Sequence, residues 1–391
     1  MKSIATDYLQ QMIDVRRHLH MYPEKSFEAH ETKQYILKQL ERYDDIEIIS
    51  PIGDTLSILA TIGTKKPHIA FRADFDALPI PDEKDVPYRS KNDGVSHACG
   101  HDAHTATLLG LVDVVYANRD KLNGAVSFIF QDSEELLPGS AKRIVESGVL
   151  KDIDKVYGQH YWSQIDLNTV EVCEGELISS PDAFNITIIG SGGHAAYPHT
   201  TVDPVVIASE VIIGLQSIVS RQLSPLDKAV FSFGVVDGGN AFNVIPGKVS
   251  IRGTTRSFDK EISNKVKDIV ERESKYIAEK RGAQAEVDYV QGFPAVINHA
   301  NEAEVVKQSV ESVELNYKKA TPLMIGEDFS YYLNEFPGAF FLTGSRSDEA
   351  TGYAHHSSTF DIDERAMLNG LSVFMKILEN EGVVEIGRAH V

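Results

Sequence analysis

Cysteine is nearly absent from this chain: its 391 residues include two, Cys99 and Cys173, in unrelated sequence contexts. That excludes a disulfide framework. Basic residues are also in short supply, 38 against 57 acidic ones, and the net charge of -19 has no compensating basic stripe. A phosphate backbone would be repelled, so nucleic acid is excluded as a partner. The opening MKSIATDYLQ has no apolar signal core, and no stretch approaches the length that spans a bilayer. A cytoplasmic location with no membrane partner is therefore expected. Internal repeats and low-complexity segments are missing too. The length exceeds one typical core and fits two domains.

Turning to what is present, apolar residues at helical spacing run from Tyr8 to His20 and stop at Pro23. Strand-like runs follow at Leu56–Ile62, His68–Arg72 and Ala125–Phe130, with a helical pattern from Thr105 to Tyr116 between the last two. This alternation predicts a layered α/β domain. Near Ser179-Ser180-Pro181 the texture changes to strand Ala183–Ile189, helix Asp203–Ser220, strands Ala229–Val236 and Lys248–Thr254, helix Lys260–Glu279 and strand Ala285–Val290. A β-α-β-β-α-β order closes as a four-stranded, ferredoxin-like α+β domain with two helices on one face. After Pro294 the alternating elements resume with helix Ala303–Leu315, strand Phe340–Leu342 and helix Glu364–Leu378. The expected organisation is a discontinuous catalytic domain, residues 1–180 and 295–384, interrupted by an inserted domain at 181–294. The closing residues 385–391 read as a non-native tail.

The octapeptide His97-Ala98-Cys99-Gly100-His101-Asp102-Ala103-His104 concentrates metal-ligand chemistry in a segment too short to be a generic core. Cys99 and His101, two apart, point the same way in an extended backbone and can grip one metal or one side of a metal pair. Asp102 is expected to cap the helix that follows. Other apolar runs also end in ligand types: Ala125–Phe130 in Gln131-Asp132-Ser133-Glu134-Glu135, Lys155–Gln159 in His160, and His68–Phe71 in Arg72-Ala73-Asp74-Phe75-Asp76. Tyr353 is followed by His355-His356-Ser357-Ser358-Thr359-Phe360-Asp361. Strand-end residues of an open α/β sheet converge on one crevice. Cys99, His101, Glu135, His160 and His356 make five candidate ligands, more than one catalytic zinc uses and natural for two ions sharing a water. Neighbouring Glu134 and Glu135 diverge, so one can bind metal while the other acts as general base. Asp74 and Asp76 can orient a ligand imidazole from behind.

In order and spacing, several motifs resemble one family: Arg16-Arg17-His18-Leu19-His20 with Pro23-Glu24, Arg72–Pro79, the Cys99 motif, Glu134-Glu135, Gly192-Gly193-His194-Ala195-Ala196-Tyr197-Pro198-His199, Asn243-Val244-Ile245-Pro246, Gly326-Glu327-Asp328-Phe329 and His356. It is the binuclear metal amidohydrolases that include hippurate hydrolase, N-acyl-amino-acid amidohydrolases, indole-acetyl-amino-acid hydrolases and N-acetyldiaminopimelate deacetylase. Carboxypeptidase G-type relatives carry a carboxylate where this chain has Cys99. The resemblance covers nearly the whole chain. It implies a zinc-peptidase-like mixed sheet flanked by helices, with an inserted lid and dimerisation domain. It also implies that Cys99, His101, Glu135, His160 and His356 bind two divalent ions (Mn, Zn or Co) and that Glu134 is the base. His194 would polarise the scissile carbonyl from its own or a partner subunit, and Asn243 and Arg256 would hold the substrate carboxylate. Two departures stand out: Gln131-Asp132-Ser133 replaces the usual Gln-Pro-Ala, and His356-Ser357-Ser358 lacks the usual proline. His355 competes with His356 as a ligand, but the spacing to Phe360 favours His356.

The expected reaction is metal-dependent hydrolysis of N-acyl-L-amino acids by a homodimer or higher homo-oligomer. Water bridging the ions gives its proton to Glu134, attacks the acyl carbonyl, and Glu134 returns the proton to the leaving amine. Within the enzyme class the rivals are N-acetyldiaminopimelate deacetylase and a dipeptidase. Outside it, the rival is a metal-binding protein without catalysis, against which the intact Glu134 argues.

Overall fold

The computed structural model describes residues 2–386. The chain forms two compact units: Met1–Leu177 with Ile297–Thr321 and Asp328–Val391, and Ile178–Val296 with Pro322–Glu327. Of the expected tail, Glu385 and Ile386 are described, with Ile386 buried, and Gly387–Val391 lie outside the described residues.

The first unit is built on an eight-stranded mixed sheet. From edge to edge its strands are Glu47–Ile49, Ile58–Ile62, Ala125–Gln131, His68–Asp74, Lys155–Asp166, Gly338–Arg346, Thr169–Val172 and Asn316–Lys319. Four consecutive strands, from Ala125–Gln131 to Gly338–Arg346, are mutually parallel. The Ala125–Gln131 strand is buried at every residue, as a strand covered on both faces must be, and its sequence AVSFIFQ shows no polar alternation. Helix His101–Ala117 is apolar on nearly all sides and packs against both the sheet and helices Lys2–Met21 and Ala366–Asn380. Phe71, Phe128, Phe130, Phe341 and Phe374 fill the core with Leu108 and Leu111. Parallel strands point their carboxyl ends to one edge, where Glu134 and Glu135 follow strand Ala125–Gln131, while His160 lies within strand Lys155–Asp166.

The second unit is an antiparallel sheet in the order Ala229–Asp237, Lys248–Ser257, Ser180–Ile189, Gln284–Val290. Helices Pro204–Leu215 and Lys260–Lys280 pack on each other and against this sheet. Asp203 and Asp259 cap them, their side chains accepting backbone N–H bonds from Val205 at 2.8 Å and Glu261 at 2.6 Å. Phe184, Ile186, Ile188, Ile207, Val211, Leu215, Val266 and Val270 form its core.

One expectation needs correction here. Helical residues Pro204–Gln222 are long and apolar enough to cross a membrane by length and composition. Their apolar character has a packing source: Ile207, Val211, Leu215 and Ile218 are buried in the unit's core, whereas Val205, Val206 and Ile213 are exposed.

Candidate metal centre

Gly100 makes the turn that delivers two of the ligands. At φ 99° it occupies the left-handed region that side chains disfavour, and it ends the Cys99 segment just before helix His101–Ala117 begins. This position also corrects the role expected of Asp102. The helix starts one residue before Asp102, and the capping position is Gly100 with no side-chain cap. Buried Asp102, in the first turn, accepts the Ala103 N–H on Oδ1 at 2.9 Å and with Oδ2 pairs with Arg16 at 3.2 Å and His20 at 2.7 Å. His20 and Arg16 are four apart on helix Lys2–Met21, so a shared face was legible in their spacing, but its partner was not.

The structure brings the six proposed ligand and base residues of this unit together. Ligand atoms of Cys99, His101 and His160 lie within 4.8 Å of one another, as do those of Cys99, Glu135 and His356, and those of His101, Glu134 and Glu135. Cys99 is thus common to two triads. Its sulfur is 3.4 Å from His160 Nε2. His356 Nε2 is 3.3 Å from Glu135 Oε2, and His101 Nε2 is 3.8 Å from Glu135 Oε1. His101 Nε2 and Glu135 Oε1 are buried yet have no hydrogen-bond partner. Buried polar atoms left unpaired are costly, so they call for a partner, and these face thiol, imidazole and carboxylate donors together. That donor set fits divalent cations.

Hydrogen bonds from behind fix which ring nitrogen is available. His101 Nδ1 lies 3.0 Å from the Asp76 carbonyl and 3.1 Å from Asp76 Oδ1, and His160 Nδ1 lies 2.8 Å from the Tyr161 carbonyl. A carbonyl only accepts, so each ring carries its proton on Nδ1 and turns its Nε2 lone pair to the cluster. Asp76 does more than orient His101. Its Oδ2 accepts the backbone N–H groups of Glu134 and Glu135 at 2.9 and 3.0 Å and the Ser26 hydroxyl at 2.7 Å. One carboxylate therefore ties the Glu134-Glu135 segment to His101. The adjacent buried network binds Arg72 to Asp74 at 2.6 Å and to Asp328 at 2.8 Å, and burial pushes Asp328 up to about 6.

Charge in the cluster is unbalanced without a cation. Burial, with Glu135, Glu134 and Asp74 nearby, pushes the Cys99 thiol well above its ordinary range. Burial opposes a charge on His101, but Asp74, Asp76 and Glu135 overcome it and hold the ring at about 10. Burial lowers His160, and the rings of His104, His355 and His101 lower it further. A bound dication reverses the first two of these effects: a coordinating thiol is deprotonated outright, and a coordinating His101 Nε2 gives up its proton and presents its lone pair.

The two neighbours of motif residues fall into other roles. His355 Nε2 donates to the Tyr161 carbonyl at 3.0 Å and its ring stacks on Trp162, while His356 stands beside Glu135. The missing proline has a substitute: His356 sits at φ 62° with its N–H bonded to Ala98 O at 2.8 Å, and Ser358 donates to Glu83 at 2.5 Å. His97 is buried with both ring nitrogens unpartnered, and burial brings it down to about 3.

His194, Asn243 and Arg256 belong to the second unit. His194 pairs with Val244 in a two-stranded ribbon, and Ala195 N–H bonds to Asn243 O at 3.1 Å. Gly192 permits this ribbon, since a Cβ there would meet Ile245 O at 2.5 Å. His194 Nδ1 accepts the Ala196 N–H at 3.1 Å, which leaves the ring proton on Nε2, and the side chain is exposed. Arg256 is not with them. It faces Pro181 across the sheet, whereas Lys248, next to the ribbon, faces Ile189; eight residues of strand separate these by about 26 Å.

A family model described as peptidase family M20/M25/M40 matches residues 70–380. An N-acetyl-L-cysteine deacetylase of Bacillus subtilis (strain 168) is 39% identical over 361 residues, spanning 92% of this chain and 85% of its own. An N-acyl-L-amino acid amidohydrolase of Geobacillus stearothermophilus is 40% identical over 300 residues, 76% of this chain and 80% of its own. Among solved structures, a dinuclear metal binding peptidase from Bacillus subtilis matches with a TM-score of 0.83 and 33% identity, covering 97% of this chain and 100% of that one.

Proposed function

We propose, from the premise that this chain belongs to peptidase family M20/M25/M40 and is a hydrolase of amide bonds, that it cleaves N-acyl-L-amino acids into a carboxylic acid and a free amino acid. The observation that carries this reading is the joining of Glu134 to the ligand cluster through Asp76, which puts a general base beside orphaned metal donors. Cys99, His101 and His160 would hold one divalent ion, and Cys99, Glu135 and His356 the other. When bound, such ions supply Lewis acidity and an acidified water. Thiolate and imidazole suit zinc or cobalt, and the carboxylate also accepts manganese.

Glu134 takes the proton of the attacking water and returns it to the leaving nitrogen. Asp76 holds the backbone of Glu134 and Glu135 so that neither carboxylate drifts from its task. His194 acts through its Nε2–H as a donor to the developing oxyanion, from its own or a partner subunit. Asn243 and Arg256 hold the substrate carboxylate; Asn243 precedes the short strand Val244–Ile245 and Arg256 lies near the far end of the next strand, Lys248–Ser257, so they reach it from different directions or different subunits.

The second unit supports assembly of a homodimer. Helix Pro204–Leu215 exposes Val205, Val206 and Ile213, and Phe242 beside Asn243 is fully exposed, which is apolar surface of the kind a second copy covers. Cys99 and Cys173 are both buried and form no disulfide with each other, which suits the reducing cytoplasm. Metal analysis of the purified chain, with hippurate, N-acetyl amino acids, N-acetyldiaminopimelate and dipeptides compared side by side, tests the reading. Two divalent ions per chain and turnover of N-acyl amino acids are expected. A metal-replete sample inert towards them all overturns it, and a clear preference for dipeptides redirects it to a dipeptidase.

A further inference from the structure

Tyr161 uses its backbone to join three histidines. Its N–H donates to His104 Nε2 at 3.0 Å, and its carbonyl accepts from His160 Nδ1 at 2.8 Å and His355 Nε2 at 3.0 Å. Its phenol is 2.6 Å from Thr107 Oγ1, on the same helix as His104. A peptide N–H can only donate, so His104 Nε2 bears a lone pair and the ring proton sits on Nδ1. That proton goes to Asp74 Oδ1 at 2.6 Å, and Asp74 is itself held by Arg72 at 2.6 Å. The His104 ring also stands edge-on to the His160 ring, with centroids 4.6 Å apart.

Two roles are open to a histidine so placed. Its ligand atoms cluster with those of Asp74 and His101, which would make it a ligand of a further cation. Both nitrogens are already committed, however, one as donor to Asp74 and one as acceptor from Tyr161. Coordination at Nε2 would break the bond to the Tyr161 N–H and leave a buried backbone donor unpaired. The ligand role is thereby disfavoured, and the contacts lead elsewhere.

We propose that His104 is a positioning residue: by holding the Tyr161 N–H it fixes where the Tyr161 backbone and its carbonyl stand, and so the heading of His160 and the affinity of the metal site His160 shares with Cys99 and His101. The proposal rests on the metal-binding reading above. Arg72, Asp74, His104, Tyr161 and His160 form one continuous chain of polar contacts, and every side chain in it is buried. Outer partners of this kind typically change metal affinity by about 10–100-fold.

Titration of the metal-free full-length chain with Co2+, followed by its absorption spectrum, tests this. The wild type should take up two Co2+ per chain. His104→Ala should bind one of the two about 10–100-fold more weakly, with an altered spectrum. Glutamine places its amide where Nε2 lies and can accept from the Tyr161 N–H, whereas asparagine reaches only the Nδ1 position. His104→Gln should therefore recover most of the affinity and His104→Asn should not. Uptake of both ions by His104→Ala with wild-type affinity and spectrum overturns the proposal, and so does equal rescue by asparagine. Equal loss of both ions together with thermal stability makes His104 a fold residue and also overturns it. A wild type that binds fewer than two Co2+ refutes the metal reading itself. Should His104→Ala fail to fold, the glutamine and asparagine variants, which keep a polar side chain of similar size, carry the same comparison.

Discussion

The metal cluster of the first unit and the ribbon of the second differ in how finished they are. Cys99, His101, Glu134 and His160 are buried, and His101 and His160 each have a second hydrogen bond that fixes the tautomer. His194 and Asn243 are exposed, on a ribbon whose two strands are two residues long each. A preorganised cluster spends no binding energy on arranging itself, which is what electrostatic catalysis requires. An exposed imidazole whose Nε2–H has no partner within its own unit is a group that waits for substrate or a second copy. The comparison teaches that the buried cluster of the first unit is organised by its own hydrogen bonds, while the ribbon of the second presents its polar side chains exposed.

The comparison predicts a sequence of losses. Glu134→Gln should lower kcat by about 10²–10⁴-fold, the span of general base catalysis, with metal content unchanged. Normal turnover by the metal-loaded variant would remove Glu134 from the mechanism. His194→Ala should cost about 10²–10³-fold in kcat, again with both metals bound. A loss of metal instead would place His194 with the cluster, and the contrast between the units would fail.

Acid should separate the units next. Burial lowers His355 to about 4, so in the folded state it stays neutral while the unfolded chain, with an ordinary histidine near 6.5, takes up a proton. The unfolded state binds more protons between those values, so stability falls as pH drops from about 6.5 to 4, by at most about 3 kcal/mol from this residue. Denaturant melts of the metal-free chain should show that slope, and His355→Gln should flatten it; an unchanged slope would mean the ring is not held neutral. The smallest effect belongs to Arg256→Ala, which should raise KM about 10–100-fold, the worth of a charged hydrogen bond, with little change in kcat. Steady-state kinetics decide, and a drop in kcat alone would argue against carboxylate binding.

Much of this was legible in the sequence, for reasons that can be named. Helical and alternating periodicities placed Lys2–Met21, His101–Ala117 and the six elements of the second unit within a few residues, because each buries one face or all of them. Glu135 stood out because it follows the end of strand Ala125–Gln131, where a parallel sheet gathers what its strands carry, and Cys99, His101, His160 and His356 stood out by residue type and order. Backbone partners were invisible. Nothing in the letter Tyr161 shows that its N–H and carbonyl organise His104, His160 and His355. Asp102 was misplaced because its spacing fits a cap, while its actual partners, Arg16 and His20, lie more than eighty residues away in the chain. The distance between Arg256 and Asn243 depends on strand register, which a motif does not encode.

The order of the large sheet has a consequence for synthesis. Strand Gly338–Arg346 lies between Lys155–Asp166 and Thr169–Val172, two strands that adjoin in the chain. A ribosome therefore releases His160 on a strand whose inner neighbour does not yet exist. At about 5–20 residues per second the gap stays open for roughly ten to forty seconds, with the backbone N–H and C=O groups along that edge unpaired. His356 emerges after the filling strand, so the nascent chain cannot assemble its full donor set before that gap closes. Of the two donor triads, the one formed by Cys99, Glu135 and His356 would thus be complete only after that strand has been made, whereas Cys99, His101 and His160 precede it.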